Sequence, residues 1–237
     1  MGFAVAQNSR WDLVEFSNRF EGPAPRPDAR RDLRILGLHR RVAPARNAIL
    51  AVSFVLPSEA PVSGVSIEAA ELNDLHNYVM RAKPARWQPG ALNTFQPWPT
   101  RDIIDPTGVD PDNIGVVVFY TRGTDTVYLP VDLLSNSSPP PPPADEYHLH
   151  FETGREIQTL HVVITTDGTP GKTIAVRDIW ERCDHIADPG CFLFAAGSNQ
   201  HILLSLTGVP SGIYHILLSA TSPNVSGQFS QDFYMFK

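Results

Sequence analysis

The chain has 237 residues, of which 42% are hydrophobic and 19% are charged, and its net charge at pH 7 is −6. This composition is that of a globular chain with one large domain or two ordinary ones, and it excludes wholesale disorder. The acidic balance argues against nucleic-acid binding, which needs several cations on one face. No run of 18 apolar residues is present, so we predict no transmembrane segment.

Short strands dominate the predicted elements of the first half of the chain. Residues 1–10 carry no pattern and are expected to be disordered. Residues 66–83 fit either one helix or two strands, and the strands around them favour two strands. Alternating or continuous apolar runs predict further strands at 11–20, 33–37, 48–56, 114–120 and 126–134. We therefore predict a β-sandwich domain of the jelly-roll kind over 11–135.

A run of five prolines, Pro139 to Pro143, follows this half. Proline has a fixed φ and no backbone N–H, so the run cannot join a helix or a sheet and instead forms a stiff polyproline II rod. Residues 136–145 are therefore predicted to be a proline-rich linker between two domains. The overall prediction is an all-β protein of two β-sandwich domains.

The second half, residues 146–237, shows seven short apolar runs separated by turn signals such as Asp167-Gly168 and Pro189-Gly190. About seven strands in some 90 residues are typical of an immunoglobulin-like sandwich. Residues 206–220 contain a Pro-x-Gly-x-Tyr turn at 210–214 that leads into an alternating strand. This half resembles a bacterial immunoglobulin-like domain, and the resemblance implies a spacer or binding module and carries over no active-site residues.

Two cysteines, Cys183 and Cys191, enclose a short, turn-rich segment. We predict a disulfide between them, which indicates an extracytoplasmic location: the periplasm, the cell surface or the medium. Ala4 to Ala6, followed by Gln7, is similar to the end of a signal peptide, and chance occurrence in an Ala-rich chain explains it equally well.

Aromatic residues punctuated by prolines give the first candidate site, in a segment predicted to be a loop. Trp87, Phe95 and Trp98 could present flat faces to sugar rings, with the Asn93 amide bonding hydroxyl groups. The alternative is that these rings cover one end of the first core, because aromatic residues dominate core burial.

Histidines give the second candidate site. His148 and His150 alternate with apolar residues, so on a strand both lie on the face away from the core. If residues 154 and 155 form a two-residue hairpin turn, His161 lies opposite His148. The three imidazoles could then bind Zn²⁺ or Cu²⁺, and apart from this hypothesis we predict no cofactor. The alternative is a polar face that carries histidines by chance.

The sequence contains no Gly-x-Ser-x-Gly, His-Glu-x-x-His, Gly-x-Gly-x-x-Gly or Walker motif. We therefore predict a non-catalytic extracytoplasmic structural or interaction protein, a subunit or accessory of a surface or secreted assembly. Its expected partner is another protein or a second copy of itself. The alternatives are a carbohydrate-binding module, and a metal-binding protein or hydrolase with a non-motif active site.

Overall fold

The computed structural model describes residues 15–16, 33–41, 49–60, 65–71, 76–81, 87–95, 114–135, 145–180, 194, 197–223 and 227–237. Every regular element within these ranges is a β-strand, so the all-β prediction is confirmed. The strands are β1 (Glu15–Phe16), β2 (Leu33–Arg41), β3 (Ile49–Val55), β4 (Ser66–Glu71), β5 (His76–Arg81), β6 (Leu92–Phe95), β7 (Ile114–Arg122), β8 (Asp125–Leu129), β9 (Val131–Ser135), β10 (Glu146–Thr153), β11 (Thr159–Thr166), β12 (Thr173–Trp180), β13 (Gly197–Ser205), β14 (Ile213–Thr221) and β15 (Gln228–Phe236).

The described strands form two mixed sheets. Sheet 1 has nine strands in the order β1-β5-β4-β7-β8-β15-β14-β11-β12, and sheet 2 has six in the order β13-β10-β2-β9-β3-β6. Each sheet contains one parallel pair, β15 with β8 in sheet 1 and β2 with β9 in sheet 2, among antiparallel neighbours. The layers are sandwich-like, with the apolar residues of each sheet buried against the other.

Two hydrophobic cores lie between the sheets, and each is built mainly from one half of the chain. The first core takes its buried residues from 52–133, with Phe54 and Tyr120 among the largest fully buried side chains. The second takes most of its residues from 147–235. Leu33, Ile35 and Leu38 of β2 and Val117 of β7 are exceptions, because they pack in the second core although they belong to the first half.

Both sheets combine strands from before and after the proline run, so the predicted division into two separate sandwiches is not confirmed. In sheet 2, β10 of the second half pairs with β2 of the first half along the register His148–His39 to Thr153–Leu33. In sheet 1, β15 pairs with β8. Pairing across the whole chain covers strand edges that two independent sandwiches would leave open. The jelly-roll and immunoglobulin-like assignments of the two halves stay predictions.

Several local predictions can be compared with the described strands. Residues 66–71 and 76–81 are two strands, as the sequence favoured. The aromatic segment is not all loop, because β6 pairs with β3 from Leu92 to Phe95. Several predicted features lie outside the described residues: the disordered N-terminus at 1–10, residues 136–144 of the predicted 136–145 linker, and both cysteines. Within the described part of the chain, no helix is long and apolar enough to cross a membrane.

Candidate functional site

The predicted histidine site is not assembled as the sequence suggested, because β10 and β11 do not form a hairpin. β11 lies in sheet 1, where His161 stands opposite Asp178 of β12 and Ser219 of β14. The turn at Thr153 is held locally, since its hydroxyl donates to the Arg155 carbonyl at 2.7 Å. The chain then crosses from sheet 2 to sheet 1. The predicted pairing of His161 with His148 is therefore wrong.

Sheet 2 nevertheless brings four histidines together. His148 and His150 share one face of β10, as predicted from their alternation with apolar residues. His148 stands opposite His39 of β2, and His150 stands opposite His201 of β13. Because opposed residues in antiparallel strands lie on the same face, all four imidazoles share one face of three adjacent strands. We call His39, His148, His150 and His201 the histidine face.

The rings of the histidine face are close to one another and differ in burial. The ring centres of His39 and His150 are 4.8 Å apart, and those of His150 and His201 are 5.6 Å apart. His39 and His150 are buried, at 0% and 5% exposure. His148 is half-buried and His201 is exposed. The cluster therefore extends from the interior at β2 to the surface at the edge strand β13.

His39 is held in place by a close approach between the two sheets. Its Nε2 accepts a hydrogen bond from the Val116 backbone N–H of β7 at 3.1 Å. A side chain at Gly37 would not fit there, because its Cβ would lie 2.9 Å from His39 Nε2 and 3.3 Å from the Gly115 Cα. Since Nε2 accepts a hydrogen bond, the neutral ring carries its proton on Nδ1.

The buried imidazoles have ring nitrogens that no described group satisfies. His39 Nδ1 and both ring nitrogens of His150 are buried without a hydrogen-bond partner among the described residues. A buried polar group left without a partner costs about 1–3 kcal/mol. Such groups in folded proteins are normally satisfied by protein, water or an ion.

Burial also determines the charge state of these rings. Burial lowers the pKa of His150 to about 4, with smaller contributions from the neighbouring His201 and His148 in that order. Burial holds the pKa of His39 well below its ordinary value, with smaller contributions from His150 and His148. Both rings are therefore neutral at pH 7, which is the form of imidazole that binds metal ions.

The described residues of the aromatic candidate site, Trp87 and Asn93, make packing contacts and hydrogen bonds within the fold. Trp87 packs edge-on against Phe54 of the first core, with ring centres 5.2 Å apart. Asn93 is buried, and its amide bonds the backbone of Gln88 and Ala91. Its amide is thus not available to a sugar hydroxyl.

The other two aromatic residues of the predicted site, Phe95 and Trp98, add no described ring to it. Phe95 is placed in β6 by its backbone pairing with Val52, and Trp98 lies outside the described residues. The alternative interpretation, in which aromatic rings cover the end of a core, therefore fits Trp87.

The outer edge of strand β12 is a second candidate site, because its backbone groups there have no partner among the described strands. Among the described strands, β12 pairs only with β11, so its other side is an edge of sheet 1. Val176 on this strand is 56% exposed. Ile174, Ala175 and Ile179 pack against the second core but are only half-buried. A further strand at this edge would cover them.

Arg177 connects this edge with the other sheet. Its guanidinium donates to the Leu203 carbonyl of β13 at 2.8 Å, so the edges of the two sheets are joined at this end of the sandwich. A charged side chain on an edge strand is one of the devices that restrict indiscriminate pairing there.

The sequence indicated two of the four histidines, while His39 and His201 were missed. His201 begins one of the seven apolar runs of the second half, at 201–206, and His39 follows the alternating residues predicted as a strand at 33–37. No sequence signal showed that these strands flank β10, because their pairing connects residues far apart along the chain.

No family model matches the chain, and no curated protein matches its sequence. Among solved structures, the chain is similar to a β-1,2-glucanase from Parabacteroides distasonis, with 13% identity and a TM-score of 0.27. The match covers 83% of this chain and 28% of the glucanase chain. A TM-score this low carries no argument about fold or activity.

Proposed function

We propose that this protein is a non-catalytic, extracytoplasmic structural subunit that associates through the edge strand β12. The observation that carries the proposal is the state of β12 itself. This strand has eight residues, no described partner on its outer side, and the exposed Val176 at its centre. An edge with unpaired backbone groups is a template for an added strand.

The proposed occupant of this edge is β12 of a second copy. The strand carries one cation, Arg177, and one anion, Asp178, so two copies of it bear no net charge against each other. Antiparallel pairing of two identical strands gives a closed two-fold interface, in which the same patch serves both subunits. Such pairing would also cover the half-buried side chains of Ile174 and Ile179. The extracytoplasmic location rests on the predicted disulfide between Cys183 and Cys191.

Light scattering coupled to size exclusion tests this proposal. We expect the wild-type protein to form a dimer or larger oligomer, and Val176→Lys to shift it towards the monomer. The matched control is Leu92→Lys, because Leu92 is also exposed, at 61%, but lies on β6 at an edge of sheet 2. A wild-type protein that remains monomeric, or equal loss of mass in both variants, would contradict association through β12.

A further inference from the structure

The histidine face has the composition of a transition-metal site that lacks carboxylates. Two of its members, His148 and His150, are two residues apart on one strand and share a face. The third, His201, stands directly opposite His150 on the neighbouring strand. Imidazole nitrogen suits zinc, copper and nickel, and three histidines with one open position form a known type of zinc site.

His39 is excluded from the ligand set by its hydrogen bond. Its Nε2 accepts the Val116 N–H, so Nδ1 carries the proton of the neutral ring and has no lone pair for a metal. Its ring lies against that of His150 on the interior side, with centres 4.8 Å apart. His39 thus forms a wall of the site and does not bind the ion.

The spacing of the rings agrees with a shared ion. At Zn–N distances of about 2.0–2.1 Å, two imidazoles on one ion hold their ring centres roughly 5 Å apart. The centres of His150 and His201 are 5.6 Å apart, with the ring planes inclined by 26°. In this near-parallel arrangement the nitrogen lone pairs do not converge. Within the described residues, no three metal-binding side chains are arranged to hold an ion as they stand.

His150 supplies the independent observation that points to a ligand. The residue is buried to all but 5% of its surface, and neither ring nitrogen has a partner among the described residues. A neutral imidazole has one donor and one acceptor nitrogen, and both are therefore unsatisfied. A bound metal ion would satisfy the acceptor nitrogen.

We propose that His148, His150 and His201 bind one divalent ion of the zinc class through their ring nitrogens, after the rings rotate about their Cβ–Cγ bonds. The backbone of β10 and β13 stays as it is, because the opposed positions already place the three side chains on one face. The ion would connect the edge strand β13 to β10 through side chains as well as through backbone hydrogen bonds.

Calorimetric titration of the untagged 237-residue chain with ZnCl₂ at pH 7.5 tests the site. We expect one ion per chain, accompanied by a rise in the thermal unfolding midpoint. His201→Ala should weaken binding by at least about tenfold, since an affinity loss of 10–100-fold is typical even for partners outside the ligand set. His201 is exposed, so its removal leaves the core intact.

His161→Ala is the matched control, because His161 is also partly exposed but lies in sheet 1 beside Asp178. It should bind zinc as the wild type does, and His148→Ala should lose affinity as His201→Ala does. Absence of binding in the wild type would overturn the proposal. Equal losses in His161→Ala and His201→Ala would also overturn it, because they would indicate adventitious binding by surface histidines.

Discussion

The two sheets carry histidines in opposite environments. On sheet 2, His39 and His150 are buried, and burial, followed by the neighbouring imidazoles, lowers their pKa values. On sheet 1, His161 and His215 are partly exposed, and each bonds an aspartate of the adjacent strand, Asp178 and Asp232 respectively. The same residue type is thus a neutral interior group in one sheet and the partner of a surface carboxylate in the other.

This difference shows that strand neighbours, more than the residue's own strand, decide what a histidine does. His150 and His161 both occupy regular strands with apolar residues on alternate positions. His150 faces His201 across the ladder, while His161 faces Asp178. Substitutions or pH changes that affect only one of the two histidine environments can therefore test each environment separately.

The largest effect is expected from filling the space around His39. Gly37→Val places a Cβ 2.9 Å from Nε2 of the fully buried His39 ring and 3.3 Å from the Gly115 Cα, so the ring or the backbone has to shift. Overpacking of this kind costs about 1–3 kcal/mol, and we expect the upper end because backbone is one of the obstacles. Urea unfolding measures the loss.

Gly154→Val is the control for this substitution. A Cβ at Gly154 meets nothing within 4 Å, and the residue lies in the exposed link after β10. The free energy of unfolding of the Gly154→Val variant should stay within about 0.5 kcal/mol of the wild-type value, as is usual for surface substitutions. Equal losses in the two variants would contradict the close packing of β2 against β7.

An intermediate effect is expected from acid in the metal-free protein. A histidine with an ordinary pKa of about 6.5 when unfolded and about 4 when folded binds its proton more readily in the unfolded state. Stability is therefore complete above pH 6.5 and falls as the pH decreases towards 4. For His150 alone, the loss between pH 7 and pH 5 is about 2 kcal/mol, and His39 adds to it.

Denaturant unfolding in EDTA at pH 7, 6 and 5 measures this dependence. Carboxylates stay ionised over most of this range, so the change reports histidines. A free energy of unfolding that is constant from pH 7 to pH 5 would show that His150 is accessible to protons in the folded state.

The smallest effect is expected on sheet 1. Asp178→Ala removes the partner of His161, but both side chains are about half exposed. Exposed ion pairs contribute about 0–1 kcal/mol, so the free energy of unfolding should change by no more than about 0.5 kcal/mol. A loss as large as that of Gly37→Val would remove the contrast between the two sheets.

Local patterns were sufficient to predict most of the strands. The alternation of His148 and His150 with apolar neighbours correctly placed them on one face, and the runs at 66–71 and 76–81 were correctly favoured as strands. These features depend on the alternation of apolar and polar side chains along a strand, which can be read directly from the sequence.

Sheet topology was not predictable in the same way. The hairpin assumed at residues 154–155 is a crossing between sheets, and β2 pairs with β10 although more than a hundred residues separate His39 from His148. Turn residues limit the geometry of a connection, but long-range pairing depends on which apolar faces fit together. The members of the histidine face contributed by β2 and β13 therefore became apparent only in three dimensions.

The burial of His150 within a cluster of imidazoles is tested most directly by an NMR titration of its ring in the metal-free protein. Burial among these neighbours predicts a pKa of about 4 in the wild type. It also predicts a higher value in His201→Ala, because His201 is the neighbouring residue that lowers the His150 pKa most. A His150 that titrates near 6.5 in both proteins would contradict its place in a buried cluster.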